Sequence, residues 1–492
     1  MDEDALHRMY SSRIYVEGVR IDGNKRTRSA VIEQQLQDAY AAQTFEDLVD
    51  ALNVAQSRLQ RLGIFKSLQI LVDTSGDSRV SMVGADRVEH VELHIQCREK
   101  DICAMNAGAY VRGRGASSEV SGKFRNPFGL AETFELRFGI STDQSNTFRT
   151  ALQLPRPFNA DGTVGCSLFQ AVDSFKDSSS YLESSSGGNL WFQTLKGSTN
   201  HKFCYNSVWR EVSPAVDTNG KLPYESSAAS VRVMRALADQ SVKSSISHTI
   251  RCDGRNDAQS PTSGYMAQFK TELAGIGGDA NFVKCSTKIE WLASMPGFLG
   301  ERLGLVFQVN AEAGALCPFG SDRQFARGKL GTRVCDRFFL GGPSRFPGFD
   351  IRGAAGESGK RLAPQLRERD DSEEPRLTSP KRTDGLGGDV MGVLSGMLHA
   401  PLPGVAMREL GLRVGVHATV GHLVCWEFGE SGALPLSNAW RRLIENPRLS
   451  AGVCLLMPTP FGKVKLSWSR VLRFEDGDAL SPWQFGFGGV SA

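Results

Sequence analysis

The sequence KVKLSWS at residues 463–469 alternates strictly between polar and apolar side chains. In a β-strand successive side chains point to opposite faces, so Val464, Leu466 and Trp468 would share one face and the lysines and serines the other. The same alternation recurs in three more segments, at residues 134–140, 265–272 and 302–310. Each segment therefore predicts a β-strand with one apolar and one polar face.

The alternation persists over most of the chain. Between residues 104 and 490 we count about sixteen such segments, each close to the roughly ten residues that a tilted strand needs to cross a membrane. A soluble β-sandwich or propeller would bring shorter strands or a regular blade repeat, and the sequence has no such repeat. The sequence predicts a mainly β protein in which residues 103–492 form a transmembrane antiparallel β-barrel of about sixteen strands.

The first hundred residues predict a separate module in the order β-α-α-β-β, spanning residues 13–100 after an N-terminal tail at 1–12. Its second helix has the clearest signals, because Thr44 and Asp47 form a capping pattern and Gly63 provides a stop. Two segments read as inserted loops, a serine-rich run at 173–188 and a longer insertion at 313–388. The second contains a highly charged stretch at 357–384.

Composition excludes several classes of protein. The chain is 40% hydrophobic and 23% charged, and no stretch approaches the ~18 apolar residues of a membrane helix. A net charge of +3 without a basic, aromatic-rich stripe gives no reason to expect nucleic acid. The first ten residues show neither a secretory signal nor a transit peptide, so an unprocessed cytosolic product is expected.

We expect neither an enzyme nor a cofactor. The sequence contains no G-x-S-x-G, H-E-x-x-H or P-loop motif, and its ten cysteines include no C-x-x-C pair. His90 and His94 would share one strand face, but without further ligand spacing solvent-exposed histidines are the better interpretation. His417 and His422 would point to opposite faces, which makes a metal pair less favourable still.

The sequence FLGGPSRFPGF at residues 339–349 resembles the long-loop signature of the outer-membrane assembly barrels. This superfamily includes bacterial BamA and the core subunit of the mitochondrial sorting and assembly machinery. The resemblance implies that the loop folds back into the barrel lumen, with Gly341 and Gly342 at its start and Gly348 and Phe349 at its tip.

One position departs from the family pattern, in which the loop tip carries Arg-Gly-Phe. Pro347 occupies the arginine position, and proline has neither a charge nor a donor with which to bind an acidic group on the lumen wall. We hypothesise that Arg345 or Arg352 takes over this contact.

Other stretches agree with the resemblance. NPFGLAE at 126–132 is similar to the family's turn into the third strand, PTSG at 261–264 to a strand start, and GGD at 387–389 to the strand start after the long loop. The N-terminal module resembles a POTRA domain through the segments VEG at 16–18, GNKRT at 23–27 and LGIFKS at 62–67.

The resemblance implies a lateral gate between the first barrel strand, near residues 107–112, and the last, near 483–488. An incoming strand would pair with the opened edge. The gate residues would be Ala107, Gly108, Tyr110, Phe485, Gly486, Phe487 and Gly488. The glycines of the last strand have two equally weighted interpretations: they weaken a seam that must open, or they relieve crowding in a curved wall.

The implied function is the core of a machine that folds and inserts β-barrel precursors into the mitochondrial outer membrane, with the POTRA-like module in the intermembrane space. Partners would be unfolded precursors, accessory subunits and membrane lipid. The edge strand at Ile14 and Val16, or the one at 87–95, would hold extended precursors.

Three alternatives stay open at this point. One is a translocation pore of the plastid-import or two-partner-secretion type, which a single module disfavours. The second is a metabolite porin, which has no reason to carry such a module. The third is a mainly soluble β protein.

Overall fold

The computed structural model describes most of the chain in twelve segments. They are residues 12–74, 81–83, 86–112, 115–214, 240–257, 260–297, 303–320, 332–356, 358–360, 383–426, 436–459 and 462–489.

The N-terminal domain has the predicted β-α-α-β-β order, with the first helix broken into short pieces and one additional short strand. Its elements are β1 (Arg13–Asp22), α1 (Ser29–Glu33), a 3₁₀ turn (Gln34–Leu36), α2 (Gln37–Tyr40), α3 (Phe45–Arg61), β2 (Phe65–Thr74), β3 (Ser81–Val83) and β4 (Asp86–Glu99). The predicted cap of the long helix is present, since the Asp47 N–H donates to Oγ1 of Thr44 at 3.2 Å.

The sheet of this domain has the order β1-β4-β2, with β4 parallel to β1 and antiparallel to β2. The prediction that residues 87–95 form an edge is therefore wrong, because β4 has a neighbour on both sides. Val91, Leu93 and Ile95 of β4 are buried in the domain core. A strand that supplies so much of a core lies at the centre of the sheet, where both neighbours satisfy its backbone.

After the N-terminal domain, sixteen of the described strands form one sheet. They are β5 (Cys103–Arg112), β6 (Gly115–Arg125), β7 (Thr133–Ser141), β8 (Asn146–Pro155), β9 (Thr163–Ser174), β10 (Tyr181–Lys196), β11 (Thr199–Pro214), β12 (Ser241–Asp253), β13 (Gly264–Ala274), β14 (Phe282–Ser294), β15 (Val306–Pro318), β19 (Val390–Pro401), β20 (Arg413–Val424), β21 (Arg448–Thr459), β22 (Gly462–Arg473) and β24 (Trp483–Gly489).

These strands follow chain order and each pairs with its neighbour in antiparallel fashion, so the predicted sixteen-stranded barrel is confirmed. Short helices lie in three connections: α4 (Lys176–Ser179), α5 (Val405–Glu409) and α6 (Leu436–Glu445). Outward-facing side chains such as Phe269, Trp291 and Trp468 are large, apolar and about half exposed. This is the surface expected of strands that face lipid. Within the described residues, no helix is long and apolar enough to cross a membrane.

The prediction of a loop at 173–188 is wrong for most of its length. Only residues 175–180 connect two strands, and Leu182 to Gly188 pair with both β9 and β11. The serines and glycines of this run lie in a strand whose inner face lines a polar lumen, where small polar side chains are compatible with pairing.

The predicted insertion at 313–388 is shorter than expected, because β15 continues to Pro318. Within it lie the two-residue strand β16 (Gly348–Phe349) and a small hairpin of β17 (Ser358–Lys360) and β18 (Thr383–Gly385). Strand β16 pairs with β23 (Leu480–Ser481), just before the last barrel strand. Most of the charged stretch at 357–384 lies outside the described residues. We call residues 332–356 the lumen loop.

Candidate functional site

The lumen loop packs against the inner wall of the barrel. Its residues Leu340, Phe346 and Phe349 are fully buried and form one apolar cluster with wall residues that include Met391 and Val393. On the same strand Leu394, which points to the opposite face, is half exposed. The loop therefore lies inside the barrel, as the resemblance implied.

Two glycines of the loop motif have backbone conformations that other residues rarely adopt. Gly341 has φ +130°, and a Cβ there would lie 2.0 Å from the carbonyl oxygen of Asp350. Gly348 has φ +97°, and its Cβ would lie 3.0 Å from the Val471 side chain. Glycine is thus needed at both positions to fold the loop tightly and to seat its tip against the wall.

The loop tip is hydrogen-bonded to the last barrel strand through Gln484. The Gly348 N–H donates to Oε1 of Gln484 at 3.2 Å, and Nε2 of Gln484 donates to the Phe349 carbonyl at 2.5 Å. The Asp350 N–H extends the contact to the Ala479 carbonyl at 2.9 Å. Sequence reasoning missed Gln484. The sequence did contain a feature that could have identified it: Gln484 is the one long polar side chain on a strand face whose other residues are Gly486 and Gly488.

Gly486 of the last strand lies directly beneath the loop. A Cβ at this position would meet Cγ of Pro343 at 2.8 Å, so the missing side chain makes room for the loop. The close contact at Gly486 thus comes from the lumen loop, a third reason for glycine beside a weakened seam and crowding in the curved wall. Gly108 on the first strand differs, because a Cβ there would meet nothing within 4 Å.

The two arginines near Pro347 make different contacts. Arg345 forms an ion pair with Glu312 of β15, with Nε 2.8 Å from Oε2. Arg352 instead donates to the Tyr181 hydroxyl at 2.9 Å, and its guanidinium lies over the rings of Phe175 and Phe339. Of these two arginines, Arg345 therefore makes the ion pair with the wall, as hypothesised for one of the two.

A buried ion pair holds one end of the loop, and a hydrogen bond to a buried carboxylate holds the other. Asp336 accepts two hydrogen bonds from Arg210 of β11, at 2.6 and 3.1 Å. Near the other end, the Ala355 N–H donates to Asp478, whose carboxylate also binds Arg448 at 2.8 Å. Bidentate pairs of this kind fix orientation as well as distance. Both ends of the loop are thus fastened to the rest of the barrel.

The barrel closes at a seam between β5 and β24, which carry the expected gate residues. Cα atoms of the two strands approach within 8 Å, yet in the part of the chain that the structure describes no residue of one pairs with a residue of the other. Ala107 and Gly108 of β5 are exposed, and Tyr110 lies further along this strand. On β24, Phe485 and Phe487 alternate with Gly486 and Gly488, and Phe485 is 43% exposed.

The N-terminal domain is docked on the barrel by the turn at residues 126–132. Nδ2 of Asn126 donates to the Thr27 hydroxyl at 2.8 Å, and the Arg28 N–H donates to the Gly129 carbonyl at 3.1 Å. Ala131 of the turn is buried in the core of the N-terminal domain. The turn that the resemblance singled out therefore fixes the position of the domain beneath the barrel.

A buried carboxylate supports this junction from the domain side. Glu99 accepts hydrogen bonds from the Thr27 hydroxyl at 2.6 Å, the Thr27 N–H at 2.8 Å and the Arg26 N–H at 3.1 Å. Burial raises the pKa of the Glu99 carboxyl, but these hydrogen bonds outweigh it and leave the pKa below its ordinary value.

The histidines occupy structural positions. His90 packs edge-on against the Tyr15 ring, with centroids 5.5 Å apart, and is only partly exposed. His417 and His422 are both buried, one beside the Ser469 hydroxyl and the other beside Arg448. Across the described segments, no group of three or more His, Cys, Asp or Glu residues is arranged to hold a metal ion.

Comparison with known proteins agrees with this architecture. The Sorting and assembly machinery component 50 homolog of Homo sapiens is 27% identical over 350 residues, which cover 70% of this chain and 67% of that protein. Homolog B of Xenopus laevis is 26% identical over 486 residues, covering 96% and 90%.

Solved structures show the same fold. BamA from Haemophilus ducreyi lacking POTRA domains 1–3 aligns with a TM-score of 0.72 at 17% identity, over 96% of this chain and 84% of that one. CdiB from Acinetobacter baumannii aligns with a TM-score of 0.52 at 12% identity, over 97% and 73%. The model of the Omp85 superfamily domain matches residues 126–490. Because this match covers well over half of the present chain, the chain belongs to the Omp85 superfamily.

Proposed function

We propose that this chain is the core of a machine that folds β-barrel precursors and inserts them into the mitochondrial outer membrane. The observation that carries the proposal is that, among the described residues, no backbone strand pairing joins β5 to β24. The names of the relatives, sorting and assembly machinery component 50 homologs, support the assembly role.

The seam solves the main physical problem of inserting a strand. Each unsatisfied backbone group costs several kcal/mol in hydrocarbon, so a precursor strand needs a paired partner from the start. Strand β24 is held on its inner side by the lumen loop, through Gln484 and Gly486. Strand β5 pairs with β6 alone among the described strands. Strand β24 likewise pairs with β22 alone, so each strand offers one edge; because the loop anchors β24, we propose that a precursor strand adds to β5 by β-augmentation.

The N-terminal domain would receive the precursor before insertion. Along β1 the outer edge is partly occupied, because the Ile14 N–H donates to the Gln43 carbonyl at 3.1 Å. Strand β2 pairs with β4 on one side, and no other described strand pairs with its outer edge. We assign precursor holding to β2, in place of the predicted edges. The domain also touches the turn after β8, where Asn159 donates to Gln37 at 3.2 Å, so it lies beneath the first strands of the barrel.

The proposed partners are unfolded β-barrel precursors, accessory subunits of the sorting and assembly machinery and membrane lipid. The N-terminal domain would lie in the intermembrane space. The activity requires pairing and release of strands and no covalent chemistry. A protein-translocating pore, the alternative that the sequence leaves open, is the second candidate.

Import of a labelled mitochondrial porin precursor into organelles depleted of this protein tests the proposal. We expect porin to cross the outer membrane and to stall before it becomes protease-resistant on native gels. Normal porin assembly would refute the proposal. A failure of cargo to cross the membrane at all would favour the translocating pore.

A photo-crosslinking residue tests the seam separately. Placed at Ala107 on the exposed edge of β5, it should capture an arrested porin precursor. The matched control is Phe269, which faces outward on β13, eight strands along the sheet. Equal capture at both positions would contradict insertion at the seam.

A further inference from the structure

A polar cavity of about 480 Å³ lies between the lumen loop and the wall formed by β13, β14 and β15. The loop contacts the opposite side, at β22 and β24, through Gly348 and Gln484. The charged and polar residues that line the cavity include Gln268, Lys284, Lys288, Glu312, Arg345 and Arg352.

The wall around this cavity carries an excess of positive charge. On the inward faces of β11 to β14 lie five lysines, which we call the basic wall: Lys202, Lys243, Lys270, Lys284 and Lys288. Their outward-facing neighbours, such as Phe203 and Ile289, are exposed to the lipid side.

Two carboxylates form ion pairs with three of these five lysines. Glu272 lies 3.0 Å from Lys243 and 3.6 Å from Lys270. Glu312 is shared between Lys288 at 3.5 Å and Arg345 at 2.8 Å. Each carboxylate carries one negative charge and faces two cations. Each of the two groups therefore has a net charge of +1.

The remaining two lysines contact rings and a carbonyl. Nζ of Lys284 donates to the Asp336 carbonyl at 2.7 Å and lies over the Phe338 ring, while the Asp336 carboxylate is bound to Arg210. Nζ of Lys202 lies 4.9 Å from the centre of the Trp191 ring. The side chains of Lys270 and Lys288 are 41% and 51% exposed, so an incoming group can reach them.

A concave surface of one charge between low-dielectric walls concentrates the field and raises the local concentration of oppositely charged groups. Here the cations are distributed over four adjacent strands. With strands about 4.8 Å apart, they span roughly 14 Å across the wall. A single phosphate contacts only one end of such an array. An extended polypeptide rises about 3.3 Å per residue and turns alternate side chains to one face. If these side chains are acidic, their carboxylates can face the lysines along the whole width of the wall.

We infer that the cavity and the basic wall bind an acidic stretch of an extended polypeptide. This inference rests on the proposed function, because it names the part of an unfolded precursor that the lumen holds while a strand pairs at the seam. The ligand chemistry is that of successive aspartate or glutamate side chains.

Binding of fluorescein-labelled hexaglutamate to the purified full-length chain in detergent, followed by fluorescence anisotropy, tests the inference. We expect saturable binding that weakens with added salt, and no comparable binding of labelled hexalysine. The double substitution Lys270→Gln and Lys288→Gln should weaken hexaglutamate binding by about tenfold or more, because charge-assisted hydrogen bonds are lost. The matched control, Lys463→Gln with Lys465→Gln, removes two inward-facing lysines of β22 outside the cavity and should change the affinity less than about twofold.

Three outcomes would overturn the inference: equal binding of hexalysine, an equal loss in the control variant, or complete competition by inorganic phosphate at matched ionic strength. The last would indicate a small-anion site. Folding of each variant is checked by its thermal unfolding temperature, which should change little in the Lys270→Gln, Lys288→Gln variant, because Glu272 keeps Lys243 and Glu312 keeps Arg345 as ion-pair partners. Failure of this inference is distinguishable from failure of the proposed function, because porin assembly is scored in organelles and peptide binding on the isolated chain.

Discussion

Replacing Gln484 with leucine should loosen the tip of the lumen loop while leaving the barrel strands paired. Leucine has a similar volume, so little cavity forms and the effect isolates the two hydrogen bonds. The Gly348 N–H would lose its acceptor, while the Phe349 carbonyl would keep the bond that it accepts from the Gly342 N–H at 2.9 Å. One buried donor is thus orphaned, and one acceptor loses one of its two partners.

The magnitude follows from this count. An orphaned buried donor costs about 1–3 kcal/mol, and a lost bond to a group that keeps a partner costs about 0.5–1.5 kcal/mol. We therefore expect local opening of the loop tip to become about 1.5–4.5 kcal/mol easier, a roughly 10- to 1,600-fold increase in the exchange of its amide hydrogens.

Hydrogen–deuterium exchange of peptides that cover residues 341–356 measures this change. Peptides from β13 should exchange as in the unsubstituted protein. The matched control is Gln308→Leu, which removes side-chain hydrogen bonds from Gln308 to Glu290 and Asn310 on the inner wall without touching the loop. Unchanged exchange at the loop tip, or faster exchange of the same size in the control, would refute the assignment of Gln484 as the residue that fastens the loop.

Two further predictions concern the junction between the N-terminal domain and the barrel. Gly129→Ala should undock the domain, because Gly129 has φ +85° and a Cβ would lie 2.6 Å from the Arg26 carbonyl oxygen. Faster proteolysis between residues 99 and 126, with the barrel intact, would show this. The control is Gly63→Ala, because Gly63 also has a positive φ but a Cβ there would have no neighbour within 4 Å. Acidification from pH 7 to about 3 should destabilise the N-terminal domain, because the pKa of the Glu99 carboxyl is lower in the folded state than in the unfolded state. The carboxylate stabilises the fold above its unfolded pKa of about 4.3, and this contribution is lost as the pH falls through the folded pKa. Amide hydrogen exchange of residues 13–100, corrected for its intrinsic pH dependence, measures this loss of stability. Glu99→Gln should reduce the loss on acidification. An undiminished loss in that variant would contradict the assignment to Glu99.

Local patterns were sufficient for most of the strands and for the helix cap. The alternation at residues 463–469 predicted β22, and Thr44 with Asp47 predicted the start of α3. Both signals arise from neighbours in sequence, through side-chain direction in a strand and hydrogen bonds within one helical turn. The serine-rich run at 173–188 was misread because composition alone does not separate a surface loop from a strand that lines a polar lumen.

Taken by itself, the sequence determined the type of the strands, their approximate number and the order of the N-terminal elements, because periodicity and capping depend on residues a few positions apart. The family of the lumen loop came from the resemblance of residues 339–349 to the assembly barrels. The tertiary structure decided that β4 is central, that Arg345 contacts Glu312 and that Gln484 holds the loop tip. Gly348 and Gln484 are 136 positions apart, and no local pattern records which distant side chain fills a given place in a closed barrel. Those contacts depend on register and curvature, which arise only when all sixteen strands have paired.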